Sequence, residues 1–250
     1  MGSEGMTSTG WMRSGDKVAT ALVYGIFGIV VLILTLVLWV VFNGLMNPTT
    51  PRSYHERQIK LLEEVVVQKP KVAAAWADLA RALIVAKQYN SAASVLDRGD
   101  KALGKDAPEL ALERARLALV RGQADEALRL ADKALKVTSA FRERQMAKFA
   151  EKAVTVDPRT IQADVMAEAA EMKGSLLAAK KSWTDAEKAY SIAIYEKPGS
   201  ADYLVTRASV YIELREYDKA RADADKALAM IPGFEPALTV LKRIDKGSGK

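Results

Sequence analysis

Five marker positions of this chain have counterparts 34 positions further on, three of them identical. Trp183, Ala186, Tyr190, Ala193 and Pro198 return as Tyr217, Ala220, Ala224, Ala227 and Pro232. Self-similarity at such a period marks an array of stacked supersecondary units, because each unit buries its apolar face only against its neighbours. Beyond residue 53 the chain is rich in Ala, Leu, Lys and Glu, with apolar residues at helical spacing. Turn signals separate runs of about 12–16 residues, and no period-2 alternation appears, so the region is predicted to be all-α.

The repeat extends upstream. The segments AKQYNSAASVLDRGDKAL and VRGQADEALRLADKAL align on Ala92 and Ala127. Four helix-turn-helix units follow from the alignment. The first, from about Ala73, carries Trp76, Leu79, Ala80 and Leu83 and then Tyr89, Ala92, Leu96 and Gly99. The second, from near Pro108, carries Ala111, Ala115, Ala118, Ala124, Ala127, Ala131 and Ala134. The third covers 167–200 and the fourth 201–234, with Gly174, Tyr190, Ala208 and Tyr211 among their marker residues. Half repeats flank them: 54–69, closed by Pro70, and a capping helix over 236–246. These residues and this period resemble the tetratricopeptide repeat family. The resemblance implies an α-solenoid with a concave groove, lined by first helices, that holds a peptide or partner protein. Small residues at Ala80, Ala92, Gly174, Ala186, Ala208 and Ala220 let paired helices approach closely, and Trp76, Tyr211 and Tyr217 fill the gaps between units.

Two departures from the pattern stand out. The second helix of the first unit runs on through Leu103 and is expected to be about a turn longer than usual. Between the second and third units, 138–166 is irregular: Phe149, Ala150 and Ala153 followed by Asp157-Pro158 look like a second helix without its first. Either a degenerate repeat or a break in curvature that shapes a binding site accounts for it.

The N-terminal region is of another kind. From Val18 to Pro51 there is no charged residue. Residues 18–42 hold 25 uncharged residues, 17 of them Val, Ile, Leu or Phe. A helix of that length spans roughly 37 Å, more than a ~30 Å hydrocarbon core. We expect a single transmembrane helix over 18–46, with Trp39 at one interface and Tyr24 at the other. It follows a tail over 1–17 and precedes a Pro/Thr linker over 47–53; the solenoid then runs over 54–246 and a tail over 247–250. The apolar run is too long for a cleaved signal peptide and no small-x-small site follows it. The positive charges near the span do not decide its orientation, and the solenoid is expected on the extracytoplasmic side as the cargo of a signal anchor, with the cytoplasmic side left open.

The composition narrows the chemistry. The chain has no cysteine and one histidine, His55, which removes disulfides, thiolate metal sites and Cys nucleophiles. It contains no GxxxxGK[ST], HExxH or GxSxG motif, so no enzyme activity, cofactor, metal or small-molecule substrate is expected. The net charge of +6 arises from cations interleaved with acids and lacks a basic block, so no nucleic-acid partner is expected.

Binding in the groove is the function that remains. The candidate partner-binding residues are Asp78, Arg81, Glu113, Arg116, Glu171, Ser175 and Ser209. Arg81 and Arg116 occupy equivalent places, where they either engage an acidic segment of the partner or pair with Asp78 or Glu113. The Lys/Asn carboxylate clamp of some family members is missing, since the matching positions hold Ala77, Arg81, Leu112 and Arg116. The chain is therefore expected to be an anchored protein–protein interaction scaffold. Its composition and short N-tail suggest the bacterial cytoplasmic membrane, in envelope assembly or quality control. The alternative is an accessory subunit of a fixed membrane complex, held by the transmembrane helix.

Overall fold

The computed structural model describes residues 25–41, 53–104 and 106–247. Among them all regular structure is helical. The chain divides into two units, residues 1–57 and 58–250.

In the first unit, residues 25–41 form helix α1, 17 residues with every one exposed. Thr35 turns its hydroxyl onto its own helix and donates to the Leu32 carbonyl at 2.9 Å. Among the described residues no helix is long and apolar enough to cross a membrane. The remainder of the expected span, 18–24 and 42–46, lies outside the described residues, and so do Tyr24 and most of the linker. Ser53 and Glu56 form a capping box at the start of α2 (Tyr54–Gln68): the Ser53 hydroxyl accepts from the Glu56 amide at 3.1 Å, and the Ser53 amide donates to the Glu56 carboxylate at 3.3 Å.

The second unit is a solenoid of antiparallel pairs: α3 (Ala73–Val85) with α4 (Tyr89–Leu103), α5 (Pro108–Val120) with α6 (Ala124–Glu151), α7 (Ala163–Ala179) with α8 (Trp183–Glu196), and α9 (Ala201–Glu213) with α10 (Tyr217–Met230). Helix α11 (Glu235–Gly247) closes the stack against α9 and α10 through Ala237, Val240 and Ile244. Each second helix also packs on the first helix of the next pair. The core is correspondingly serial: one cluster joins α2–α5, the next α5–α8 and a third α8–α11. This is the arrangement required when a helix pair cannot bury its apolar face alone.

The alanines of the repeat signature are where the helices meet. Ala80, Ala92, Ala186, Ala208 and Ala220 are fully buried. At Gly174 the approach is close: a Cβ there would lie 3.0 Å from the Tyr190 ring of the paired helix. Trp76 is buried and anchors its pair to the preceding loop, its indole N–H donating to the Pro70 carbonyl at 2.9 Å.

The turns inside the four pairs share one backbone device. Lys87, Gly122, Lys181 and Arg215 all have φ between 59° and 75°. Each stands two residues before its second helix. The residue after it donates back to the first helix, as Gln88 does to Leu83 at 2.8 Å and Ser182 to Leu177 at 2.9 Å. This αL closure satisfies the last carbonyls of the first helix.

Three expectations need correction. Helix α4 has 15 residues against 14 in α8 and α10, one residue longer and not a turn. The stretch after residue 138 is not a second helix lacking its first: α6 runs unbroken for 28 residues to Glu151, about 42 Å. Ala153, at φ 54°, lies just past its end, and a 3₁₀ turn at Pro158–Thr160, capped by Asp157, leads into α7. Helix α7 starts at Ala163, four residues before the expected edge of the third unit, so it has 17 residues where α3, α5 and α9 have 13.

Candidate functional site

The first helices α3, α5 and α7 line a concave cavity of about 400 Å³, completed by Lys197 just beyond α8. Its floor is apolar because Ala77, Leu112 and Val165 are core positions of their helices. Its walls are charged. The Asp78, Arg81, Glu109, Asp164, Glu168 and Lys197 side chains line it, with the Gln162 amide between α5 and α7.

The charges form a relay across three helices. Arg81 Nε and Nη2 both donate to Glu113 Oε1, at 2.9 and 2.7 Å. The other oxygen of Glu113 accepts from Arg116 Nε at 3.2 Å, and Arg116 Nη2 reaches Glu168 at 2.8 Å. Glu113 is completely buried. Burial pushes its carboxyl up from the ordinary value, while Arg116 and Arg81 draw it back. On the far side of the groove, Lys197 pairs with Asp164 at 2.5 Å.

Glu109 sits at the first turn of α5, directly after Pro108, where the helix dipole favours a carboxylate. Its Oε1 accepts from Gln162 Nε2 at 2.9 Å. Its Oε2 is sealed from solvent and has no hydrogen-bond partner among the described residues. Gln162 is held in place by left-handed backbone, φ 59° and ψ 30°, at the entry to α7.

The structure brings the candidate residues together unevenly. Asp78 and Arg81 line the cavity. Glu113 and Arg116 form the charge relay behind it. Glu171 is one turn beyond Glu168 on α7; burial raises its carboxyl, and Arg116 acts against that rise. Ser175 and Ser209 are directed onto their own helices, donating to the carbonyls of Met172 at 2.9 Å and Val205 at 3.0 Å. Trp39 lies exposed on α1. Of the two arrangements left open for Arg81 and Arg116, the structure shows pairing with Glu113, and no hydrogen bond to Asp78.

Glu109, Gln162, Asp164, Glu168 and Lys197 were missed. Glu109 was findable, since it precedes Leu112 by the spacing that separates Ala74 from Ala77 on the equivalent face of α3. Gln162 and Lys197 lie outside the helices, and nothing in the repeat pattern aims them into the groove.

The comparisons agree with this architecture. Residues 59–114 match the family model described as tetratricopeptide repeat. No curated protein matches the chain in sequence. Among solved structures, it is similar to BtubC from P. vanneervenii (17% identity, TM-score 0.56, covering 78% of this chain and 82% of that one). It is likewise similar to pilF of Pseudomonas aeruginosa (14% identity, TM-score 0.56, 78% and 84%). A tetratricopeptide repeat protein from Parabacteroides merdae matches at 17% identity and TM-score 0.51, covering 76% of this chain and 61% of that one. At these identities the likeness is one of fold. The repeat architecture is a tetratricopeptide-type solenoid, consistent with an interaction scaffold.

Proposed function

We propose that the protein is a membrane-anchored scaffold which binds a peptide or partner protein in the concave groove, and that it catalyses no reaction. The observation that carries this reading is the cavity across α3, α5 and α7: an apolar floor wide enough for side chains, walled by charges held in fixed positions. The Arg81–Glu113–Arg116–Glu168 relay spans three helices and keeps that surface pre-formed, which lowers the ordering cost of binding. The anchor reading draws support from the uncharged run over 18–51 and from α1, whose residues are all exposed and whose one hydroxyl is satisfied internally. An anchor confines the groove to the membrane surface and raises its effective concentration towards partners there. We place the protein in the bacterial cytoplasmic membrane, in envelope assembly or quality control.

Two measurements test the reading. Full-length protein should stay with the membrane pellet after alkaline extraction, and a chain lacking 1–46 should leave it; recovery of full-length protein in the supernatant would sink the anchor. A photo-crosslinking residue at Ala74 should capture a discrete partner that the same residue at Lys226 on α10 does not. Equal yields from both positions would remove the groove as the site. Gly25 and Gly28, with open space where a Cβ would go, favour a second reading in which α1 packs on partner helices. Loss of the partner on Gly25→Leu, with groove crosslinks unaffected, would select it.

A further inference from the structure

The cations of the groove are already engaged, and three of the carboxylates around it are not. Arg81 and Arg116 share Glu113, Arg116 also holds Glu168, and Lys197 holds Asp164. Three carboxylates are left over: Asp78, Glu109 and Glu171. Asp78 is exposed at the cavity wall and has no hydrogen bond or ion pair among the described residues. Glu109 carries the orphaned, fully buried Oε2. Glu171 has no hydrogen bond or ion pair among the described residues; Arg116 draws its carboxyl down and Glu168 pushes it up. The cavity wall has four carboxylates, Asp78, Glu109, Asp164 and Glu168, against two cations, Arg81 and Lys197, although the chain carries a net +6. The sign of the groove is thus opposite to that of the molecule around it.

We infer that the groove selects a cationic segment, an extended peptide in which Lys or Arg alternates with small apolar residues. This rests on the proposed groove binding and adds the chemistry of the partner. The apolar residues would lie on Ala77, Leu112 and Val165, and the cations would reach Asp78, Glu109 and Glu171. Arg81 and Arg116 then act as positioning residues that hold Glu113 and Glu168, and are not the groups that meet the partner. An acidic segment meets three carboxylates that lack an ion pair and is repelled.

The test uses the full chain in zwitterionic detergent micelles and three fluorescein-labelled peptides of about nine residues, long enough to cross the cavity when extended. One alternates Lys with Ala and Leu; in its twins Glu or Gln replaces Lys. The Lys peptide should bind at least about tenfold more tightly than either twin at low salt, and should weaken as salt shortens the Debye length from about 20 to about 6 Å. The combined Asp78→Asn, Glu109→Gln and Glu171→Gln variant should lose about tenfold, with its helical circular dichroism unchanged. Asp78→Asn alone, at an exposed position that cannot disturb folding, should lose about two- to threefold. Neutralising Asp218 and Asp225, exposed on α10, should change nothing. Equal binding of the Glu or Gln peptide would overturn the charge inference and leave the groove reading standing. Lys-peptide binding that the triple variant and Asp78→Asn both retain would overturn the site. Failure of all three peptides would overturn both readings. Salt-sensitive self-association abolished in the triple variant, without peptide affinity, would overturn the inference in favour of a second copy of the chain.

Discussion

Arg142 and Glu196 form a two-pronged ion pair between α6 and α8: Nη1 to Oε1 and Nη2 to Oε2, both at 2.8 Å. Their side chains are only 14% and 4% exposed. Arg142 also donates from Nε and Nη2 to the Ile161 carbonyl, at 3.1 and 3.0 Å. One guanidinium therefore ties the extension of α6, the loop after it and the next pair of helices together. Breaking a buried pair leaves a charge uncompensated and costs about 3–5 kcal/mol. Arg142→Ala is expected to destabilise the solenoid by about 3 kcal/mol. Because a repeat array unfolds locally, hydrogen exchange is the better reporter. Protection should fall in 140–162 before it falls in α3 and α4, and uniform loss across the array would contradict this account.

Gly174 allows the closest helix contact in the third pair. In a helix interior, Gly→Ala ordinarily stabilises by about 1 kcal/mol. Here the added methyl would sit 3.0 Å from the Tyr190 ring. Overpacking a tight core costs about 1–3 kcal/mol. Gly174→Ala is expected to lower stability in urea titration, while Gly199→Ala, with no atom within 4 Å of the new Cβ, is expected to be close to neutral. A stabilised Gly174→Ala would mean that α7 and α8 are further apart than described.

Lysine stands where glycine would fit better. Lys181 has φ 59° in the turn between α7 and α8. A left-handed conformation costs a residue with a Cβ about 1–2 kcal/mol, and glycine avoids most of this. Lys181→Gly should raise stability by about 1 kcal/mol, or Tm by about 2–4 °C for a domain of this size. Lys180→Gly, one residue earlier at φ −83°, should give no gain. Thermal unfolding of the two variants separates the turn geometry from the loss of a lysine.

Two carboxylates respond to pH in opposite directions. The Asp132 carboxyl is held below its ordinary value, first by a hydrogen bond from Lys173 and then by Lys136. Its contribution is present above the unfolded pKa and is lost as pH falls through the folded one. Glu171 is shifted up, first by burial, with Glu168 adding to the rise. Its contribution is present below the unfolded pKa and is lost as pH rises through the folded one. Urea titrations between about pH 3 and 7 should show Asp132→Asn less stable than the parent at neutral pH, with the gap closing towards acid. Glu171→Gln should be the more stable protein at neutral pH, and that gap should also close towards acid. The reverse sign for Glu171→Gln would refute the burial account.

What the sequence determined by itself is the repeat. Helices stacked in pairs require a small residue at each close approach, and the chain repeats its alanines at that interval, so Ala186 and Ala220 were legible as contacts between helices. The closing prolines Pro198 and Pro232 marked the pair boundaries for the same reason. The interior turns were less legible, because Lys87, Lys181 and Arg215 take the conformation that glycine usually signals. Tertiary structure alone decided the length of α6, which runs past the repeat to Glu151 and whose extension is tied to the next pair by Arg142 and Glu196. It also decided the charge of the groove. Sequence spacing identifies partners three or four residues apart on one helix, whereas Arg81 meets Glu113 and Arg116 meets Glu168 across neighbouring helices. Which carboxylates remain without a cation is fixed only once the helices are stacked.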